Sequence, residues 1–102
     1  MSYHAIIMDL LSGIDDPGVR MEVTNSLYFL KNVFSTGKVP EDQIRDDIYD
    51  IVVDVLRLKM PMATEEEIDR TAKEYVEKIM QAIRLETLST RLLQRRRISF
   101  TV

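Results

Sequence analysis

Residues 64–97 read TEEEIDRTAKEYVEKIMQAIRLETLSTRLLQRRR, a segment without proline or glycine. Thr64 and Glu67 stand three positions apart at its start, which is the spacing of a helix capping box. Glutamates at one end and arginines at the other match the polarity of a helix dipole. The segment is therefore predicted to form one helix about 50 Å long, at about 1.5 Å per residue. Apolar residues recur in it every three or four positions, as in an amphipathic helix: Ile68, Ala72, Tyr75, Val76, Ile79, Met80, Ile83, Leu85, Leu88, Leu92 and Leu93.

Two shorter helices are predicted at the start of the chain. Apolar residues in Tyr3–Leu11 indicate a short helix that Gly13 ends. A helix of this length is marginal alone, so it must pack against the rest of the chain. Asp16 is suited to cap the second helix, and Pro17 fits its first position, where a missing N–H costs nothing. Gly37 is its expected end.

A third helix is predicted to start at Pro40 and to end before Pro61. Its apolar residues follow the helical period. Proline disfavours helix in the preceding residue, so a short turn is expected to join this helix to the long one in an antiparallel hairpin. The cross-helix ion pairs expected from this hairpin are Asp54 with Arg70, Asp46 and Asp47 with Lys78, and Asp42 with Arg84.

These elements predict a single all-α domain spanning residues 1–102. We expect a small up-down helical bundle of three main helices plus a short N-terminal helix, with an overlong C-terminal helix. The final segment ISFTV, residues 98–102, alternates apolar and polar residues and is predicted to be a flexible or β-prone tail.

The length of the last helix suggests a contact with another chain. The second and third helices are predicted to span about 28 Å each, so the end of the long helix outreaches them. Leaving its leucines in water forfeits about 1.5–3 kcal/mol apiece relative to burial. Either the first helix or a second chain must cover them, and a homodimer is favoured over contact with another protein. The predicted self-association residues are Leu85, Leu88, Leu92 and Leu93.

Charge is distributed unevenly along the chain. The net charge is −3, but residues 1–50 carry −5 and residues 84–102 carry +4. Arginine suits phosphate, so one hypothesis is contact with DNA or RNA. The other is compensation of the helix dipole and pairing with acids of this chain or a second copy, which the acidic pI of about 5.1 favours. The arginines concerned are Arg84, Arg91, Arg95, Arg96 and Arg97.

A second charged pattern is an acidic stripe formed by Asp42, Asp46, Asp50 and Asp54, which stand four positions apart with Asp47 beside them. Three interpretations fit it: a cation site, a dock for a basic segment, or a solvated face partly neutralised by the last helix. A carboxylate metal centre in a helical bundle usually adds histidines in a Glu-x-x-His pattern, which this sequence lacks.

The remaining chemistry does not point to an enzyme. There is no cysteine, the single histidine is His4, and the glycines are too scattered for a phosphate-binding loop. No cofactor or metal site is therefore predicted. No apolar run approaches the ~20 residues of a membrane span, and the start of the chain does not resemble a secretory signal. We therefore expect no membrane partner and a cytoplasmic location.

The sequence thus predicts a non-catalytic, small helical interaction or assembly protein that self-associates through its long C-terminal helix. The alternative is a nucleic-acid-binding protein that contacts phosphates through the C-terminal arginine cluster.

Overall fold

The computed structural model describes the backbone of residues 1–101 and the side chains of residues 1–94. Over these residues the chain forms four α-helices and no β-strand, so the predicted all-α class is confirmed. The helices are α1 (Tyr3–Leu10), α2 (Pro17–Thr36), α3 (Glu41–Lys59) and α4 (Glu65–Thr101).

α4 continues into the segment that the sequence assigns to a tail, residues 98–102, because neither proline nor glycine interrupts it. The side chains of this segment lie outside the described residues. Whether it is flexible or β-prone therefore stays a prediction.

Local side-chain chemistry sets the helix boundaries as predicted. The Asp16 carboxylate accepts two backbone N–H groups of the first turn of α2, at 2.8 and 3.2 Å. Gly37 follows α2 with φ of 69°, a left-handed conformation that glycine adopts without strain. The Thr64 hydroxyl accepts the amide of Glu67 and donates to its carboxylate, both at 3.1 Å. The start of α4 is therefore fixed within its own first turn.

α1 and α2 run antiparallel. At one end the Tyr3 hydroxyl donates to the carbonyl of Leu27, well along α2. At the other end the Arg20 guanidinium, near the start of α2, donates to the carbonyls of Leu11 and Ile14 at 2.8 and 2.9 Å. The chain therefore doubles back on itself between residues 11 and 16.

α3 and α4 form the predicted antiparallel hairpin, although with different polar pairs. None of the pairs expected from the acidic stripe occurs among the ion pairs of the described residues. α3 is rotated about its axis so that Arg45 and Tyr49 face α4 and Asp47 faces α2, while Asp50 lines grooves on both sides. From the turn outward, the observed pairs are Arg57 with Glu65, Tyr49 with Asp69, Arg45 with Glu77, and Glu41 with Arg84.

The core lies between α4 and the other three helices. Each fully buried large apolar side chain contributes about 1.5–3 kcal/mol. α1 is short but contributes three such side chains, and Leu11 directly after it contributes a fourth, which confirms that α1 packs against the bundle. The fully buried large side chains are Tyr3, Ile7, Leu10, Leu11, Leu27, Ile44, Ile48, Val52, Leu56, Ile79, Met80 and Ile83.

Two cations hold the C-terminal end of α1. The ammonium of Lys59, on α3, donates to the carbonyl of Leu10 at 2.8 Å. Arg20, on α2, donates to the carbonyl of Leu11 one residue further. Carbonyls at a helix end lack partners within the helix and carry partial negative charge. α1 is therefore anchored by α2 and α3 as well as by its contacts with α4.

None of the four helices, over the residues that the structure describes, has the combination of length and apolar composition that crossing a membrane requires.

The cap of α2 gives a direct test of this account. Replacing Asp16 by Ala removes the acceptor for two amides, so the free energy of unfolding should fall by about 1 kcal/mol. Chemical denaturation monitored by circular dichroism measures the change. The matched control is Asp15→Ala at the exposed neighbouring position, and an equal loss in both variants would contradict the assignment.

Candidate interaction surfaces

α4 presents one face to the bundle and an apolar stripe to solvent. Ile79 and Ile83 are fully buried on the bundle side. Successive residues turn by about 100° around a helix, which places Leu85, Leu88 and Leu92 on the side roughly opposite these isoleucines. These three leucines, named here the leucine stripe, are 59%, 54% and 50% exposed. α4 therefore has apolar residues on two sides, and only one of them is covered by the described chain.

The direction in which the leucine stripe faces contributes to its exposure. The sequence argument concerned Leu88, Leu92 and Leu93, in the part of α4 from Thr87 onward that is predicted to outreach its neighbours, and it did not include Leu85. Leu85 lies beside the bundle, because Arg84 and Glu86 on either side of it contact α3, α1 and α2. The stripe is exposed because it faces away from the core.

Leu93 fits the original explanation better. It is 60% exposed and lies about 110° around the helix from the centre of the leucine stripe. Leu93 therefore points to nearly the same side of α4 as Glu86, which contacts α1. Leu93 lies about 10 Å further along the axis than Glu86, past the first residues of α1. It is thus separate from the leucine stripe, although the sequence groups all four leucines together.

Glu86 joins three helices, because it lies where α1, α2 and α4 meet. Its carboxylate accepts hydrogen bonds from the backbone amide of Tyr3 and from the ammonium of Lys31, both at 2.8 Å. Burial of the carboxylate by itself would raise its pKa. The hydrogen bonds from Lys31 and Tyr3 outweigh this effect, so the pKa of Glu86 lies below its ordinary value. The ionised form therefore ties α1 and α2 to α4.

Of the arginines predicted to contact phosphate, the structure describes the side chains of Arg84 and Arg91. The Nε atom of Arg84 donates to the Glu41 carboxylate at 2.7 Å, which directs this side chain toward α3. Arg91 is exposed and lines a polar groove between α2 and α4, together with Lys31 and Glu86. The side chains of Arg95, Arg96 and Arg97 lie outside the described residues.

The acidic stripe contributes to a groove between α2 and α3. The floor of the groove is apolar and consists of Phe29, Leu30 and Ile51, and its α3 wall carries Asp47 and Asp50. We call this feature the acidic groove. Among the described residues, no group of three or more potential ligands is placed to hold a metal ion. The other two interpretations of the acidic stripe, a dock for a basic segment and a solvated face, stay predictions.

Phe29 is the residue of the acidic groove that sequence reasoning did not single out. It lies beside the main apolar stripe of α2 and is 65% exposed. Its position in the sequence could have indicated this exposure. Leu27 and Leu30 lie on the buried side of α2, and Phe29 points outside the arc between them. A large aromatic residue at such a position indicates a contact surface.

His4 takes part in packing between helices. Its Nδ1 atom lies 3.0 Å from the Tyr28 hydroxyl, and the two rings are 6.3 Å apart. The pair lies at the exposed edge of the contact between α1 and α2.

Comparisons with models of protein families, with curated protein sequences and with solved structures gave no match. Function is therefore inferred from the protein's own surfaces.

The low pKa of Glu86 gives a prediction about stability and pH. A carboxylate whose pKa is depressed in the folded state stabilises the fold above its unfolded pKa, and that contribution is lost as the pH falls. For Glu86 the loss should begin near pH 4.5, the ordinary value. Because the side chain is 39% exposed, Glu86→Gln should cost only about 1 kcal/mol at pH 7.

Denaturation at a series of pH values measures both effects. The difference in unfolding free energy between the wild type and Glu86→Gln should shrink toward zero below the ordinary pKa. Glu66→Gln, at an exposed site in the first turn of α4, is the control. A difference that is independent of pH would contradict the role assigned to the ionised carboxylate.

Proposed function

We propose that this protein is a small, non-catalytic helical assembly protein that pairs with a second copy through the leucine stripe of α4. The observation that carries the proposal is that Leu85, Leu88 and Leu92 are at least half exposed on a face pointing away from the core. Their spacing of three and then four residues is that of a helix–helix seam, in which side chains of one helix fit between those of another. A second copy offers an identical, self-complementary surface.

Charge favours an antiparallel pair. The first turn of α4 is acidic, with Glu65, Glu66 and Glu67, and its end is basic. A parallel pair would set two basic ends side by side, which is unfavourable. An antiparallel pair centred on Leu88 keeps the two basic ends about 24 Å apart along the axis, at about 1.5 Å per residue. It also satisfies the two-fold symmetry expected of a homodimer.

The energetics predict a weak pair. Burial of a half-exposed leucine yields about half of the full value, or about 0.8–1.5 kcal/mol, so the six leucines of two copies supply about 5–9 kcal/mol. Association costs at least about 4 kcal/mol in lost translational and rotational freedom. The leucine stripe alone therefore supports a dimer that forms at high protein concentration, and additional contacts are needed for a tighter one.

The raised pKa values of Tyr75 and Tyr49 support a structural role for these two tyrosines. Burial, followed by a hydrogen bond to Asp9, raises the pKa of Tyr75 to about 12. A hydrogen bond to Asp69, followed by burial, raises the pKa of Tyr49. Each of these bonds joins α4 to another helix. Acid–base catalysis favours a pKa near the working pH, whereas these tyrosines are moved away from neutrality.

The proposal keeps the cytoplasmic location expected from the sequence, together with contact with a different protein as a variant of the same assembly role. Both rest on sequence and surface composition.

Nucleic-acid binding is the second candidate. Its support is the polar groove where Arg91 and Lys31 lie together. Glu86 shares that groove, and Arg84 is paired with Glu41, which weakens the attraction for phosphate. The test is a gel shift with duplex DNA and with RNA. A salt-dependent shift that Arg91→Ala with Arg95→Ala, Arg96→Ala and Arg97→Ala abolishes would support this candidate, and the absence of a shift at low salt would end it.

The dimer proposal makes a concentration-dependent prediction. At low concentration the protein should scatter light as an 11.9 kDa chain. Above about 0.2 mM, the Kd that corresponds to the upper estimate of about 5 kcal/mol for the net gain, the mass should rise toward twice that value. Replacing both Leu88 and Leu92 by Asp places charge in the seam, so this variant should remain monomeric. Sedimentation equilibrium provides an independent measurement.

Two single variants serve as controls. Leu58→Asp changes a leucine of α3 that is 61% exposed, and Leu93→Asp changes one of α4 that lies off the leucine stripe. Both should leave the association constant nearly unchanged. A wild-type protein that stays monomeric at millimolar concentration would refute the proposal, as would equal weakening by the controls.

A further inference from the structure

We propose that the acidic groove between α2 and α3 binds the arginine-rich C-terminal segment of another copy, residues 94–102 with the sequence QRRRISFTV. The inference extends the proposed self-assembly by adding a second contact, which uses different residues and does not require the leucine stripe.

The groove offers an apolar floor on which a partner side chain can pack. Phe29 is 65% exposed, although it lies directly beside Leu30, which is almost completely buried. Ile51 lines the opposite side of the floor and is partly exposed. The groove has a volume of about 490 Å³, enough for one or two large side chains. An aromatic ring exposed beside aliphatic residues is typical of a contact surface.

The walls of the groove carry uncompensated negative charge. Asp47 and Asp50 line it, and the helical repeat places Asp54 and Glu22 along the same two faces, one to two turns further. None of these four carboxylates takes part in an ion pair of the described residues.

The cations of α2 and α3 are directed elsewhere. Arg20 and Lys59 bind the carbonyls at the end of α1. Lys31 pairs with Glu86, while Arg45 and Arg57 pair with glutamates of α4. The groove is therefore left as an acidic surface that attracts a cationic ligand and repels nucleic acid.

Residues 94–102 have the chemistry that this groove selects. Three consecutive arginines supply positive charge, and guanidinium groups form well-oriented pairs with carboxylates. Ile98 and Phe100 follow within a few positions and can cover the apolar floor. The segment belongs to the only part of the sequence with a strongly positive net charge, +4 over residues 84–102.

The occupant must come from another copy. α4 is helical through Thr101, and it packs on α1, on α3 and on the side of α2 that carries Lys31, whereas the groove lies on another side of α2, between α2 and α3. Past Glu86 the helix runs beside α2 as far as Gln94 and continues in the same direction, and the molecule has a longest dimension of 59 Å against 27 and 21 Å. Its own residues 94–102 therefore cannot fold back into the groove while the helix persists.

A labelled peptide tests the proposal directly. The peptide QRRRISFTV contains no residue of the leucine stripe, so any binding is independent of that surface. Fluorescence anisotropy with the full-length protein at low salt should show saturable binding that weakens as the salt concentration rises. Asp47→Asn with Asp50→Asn should weaken binding by about 5- to 10-fold, because two exposed ion pairs are lost. Phe29→Ser should weaken it to a similar degree.

Matched control variants distinguish binding in the acidic groove from non-specific electrostatic attraction to the acidic protein. Glu66→Gln with Glu74→Gln removes two exposed acids of α4, and Met62→Ser removes an apolar side chain that is 93% exposed at the α3–α4 turn. Both should leave the affinity unchanged within about twofold, a difference of less than about 0.5 kcal/mol. A peptide with Ile98→Ser and Phe100→Ser should bind more weakly than the native one. Equal binding of the two peptides, equal effects of the control variants, or no saturable binding would overturn the proposal.

The monomeric variant keeps the two proposals distinguishable. The Leu88→Asp, Leu92→Asp protein should bind the peptide as tightly as the wild type, because its groove is intact. If the wild type proves monomeric while the peptide binds the groove, the leucine contact fails and the groove contact stands. If the wild type dimerises and the peptide does not bind, the reverse holds.

Discussion

Burial of one side of α4 is the constraint on which the arrangement of the molecule depends. Ile79, Met80 and Ile83 lie in the core shared with the other helices, and Glu86 binds α1 and α2 at the end of the same face. C-terminal to Glu86 this face of α4 is polar, since Thr90 and Gln94 line a groove beside α2. The hydrophobic effect therefore fixes the rotation of α4, and this rotation turns the leucine stripe outward.

A domain of this size has little apolar surface to spare, and its short first helix shows how polar contacts supplement the core. α1 alone would be marginal. Its buried side chains supply most of the attachment, while Lys59 and Arg20 satisfy carbonyls at one end and Glu86 accepts the amide of Tyr3 at the other. Both ends of α1 are thereby held by charged side chains of the longer helices. Because Lys59 and Arg20 bind these carbonyls, they cannot also neutralise the carboxylates of the acidic groove.

The elements of the fold were predictable because their signals are local. The cap at Asp16, the left-handed Gly37 and the capping pair at Thr64 and Glu67 act within a single turn. The rotation of each helix was harder to predict, because it depends on which of several apolar arcs the neighbours bury. The leucines continue the helical spacing of α4, so the sequence pattern alone does not show that the leucine stripe lies on a different side from the buried residues.

The two proposed contacts have different consequences for assembly. The leucine stripe is self-complementary, so contact through it closes a pair and leaves no stripe exposed. The acidic groove and the arginine-rich segment are different surfaces, so a contact between them leaves one of each free to continue a chain. Their responses to salt also differ, because burial of leucine is insensitive to screening whereas exposed ion pairs weaken with ionic strength. Ionic strength would thus select between closed pairs and longer assemblies.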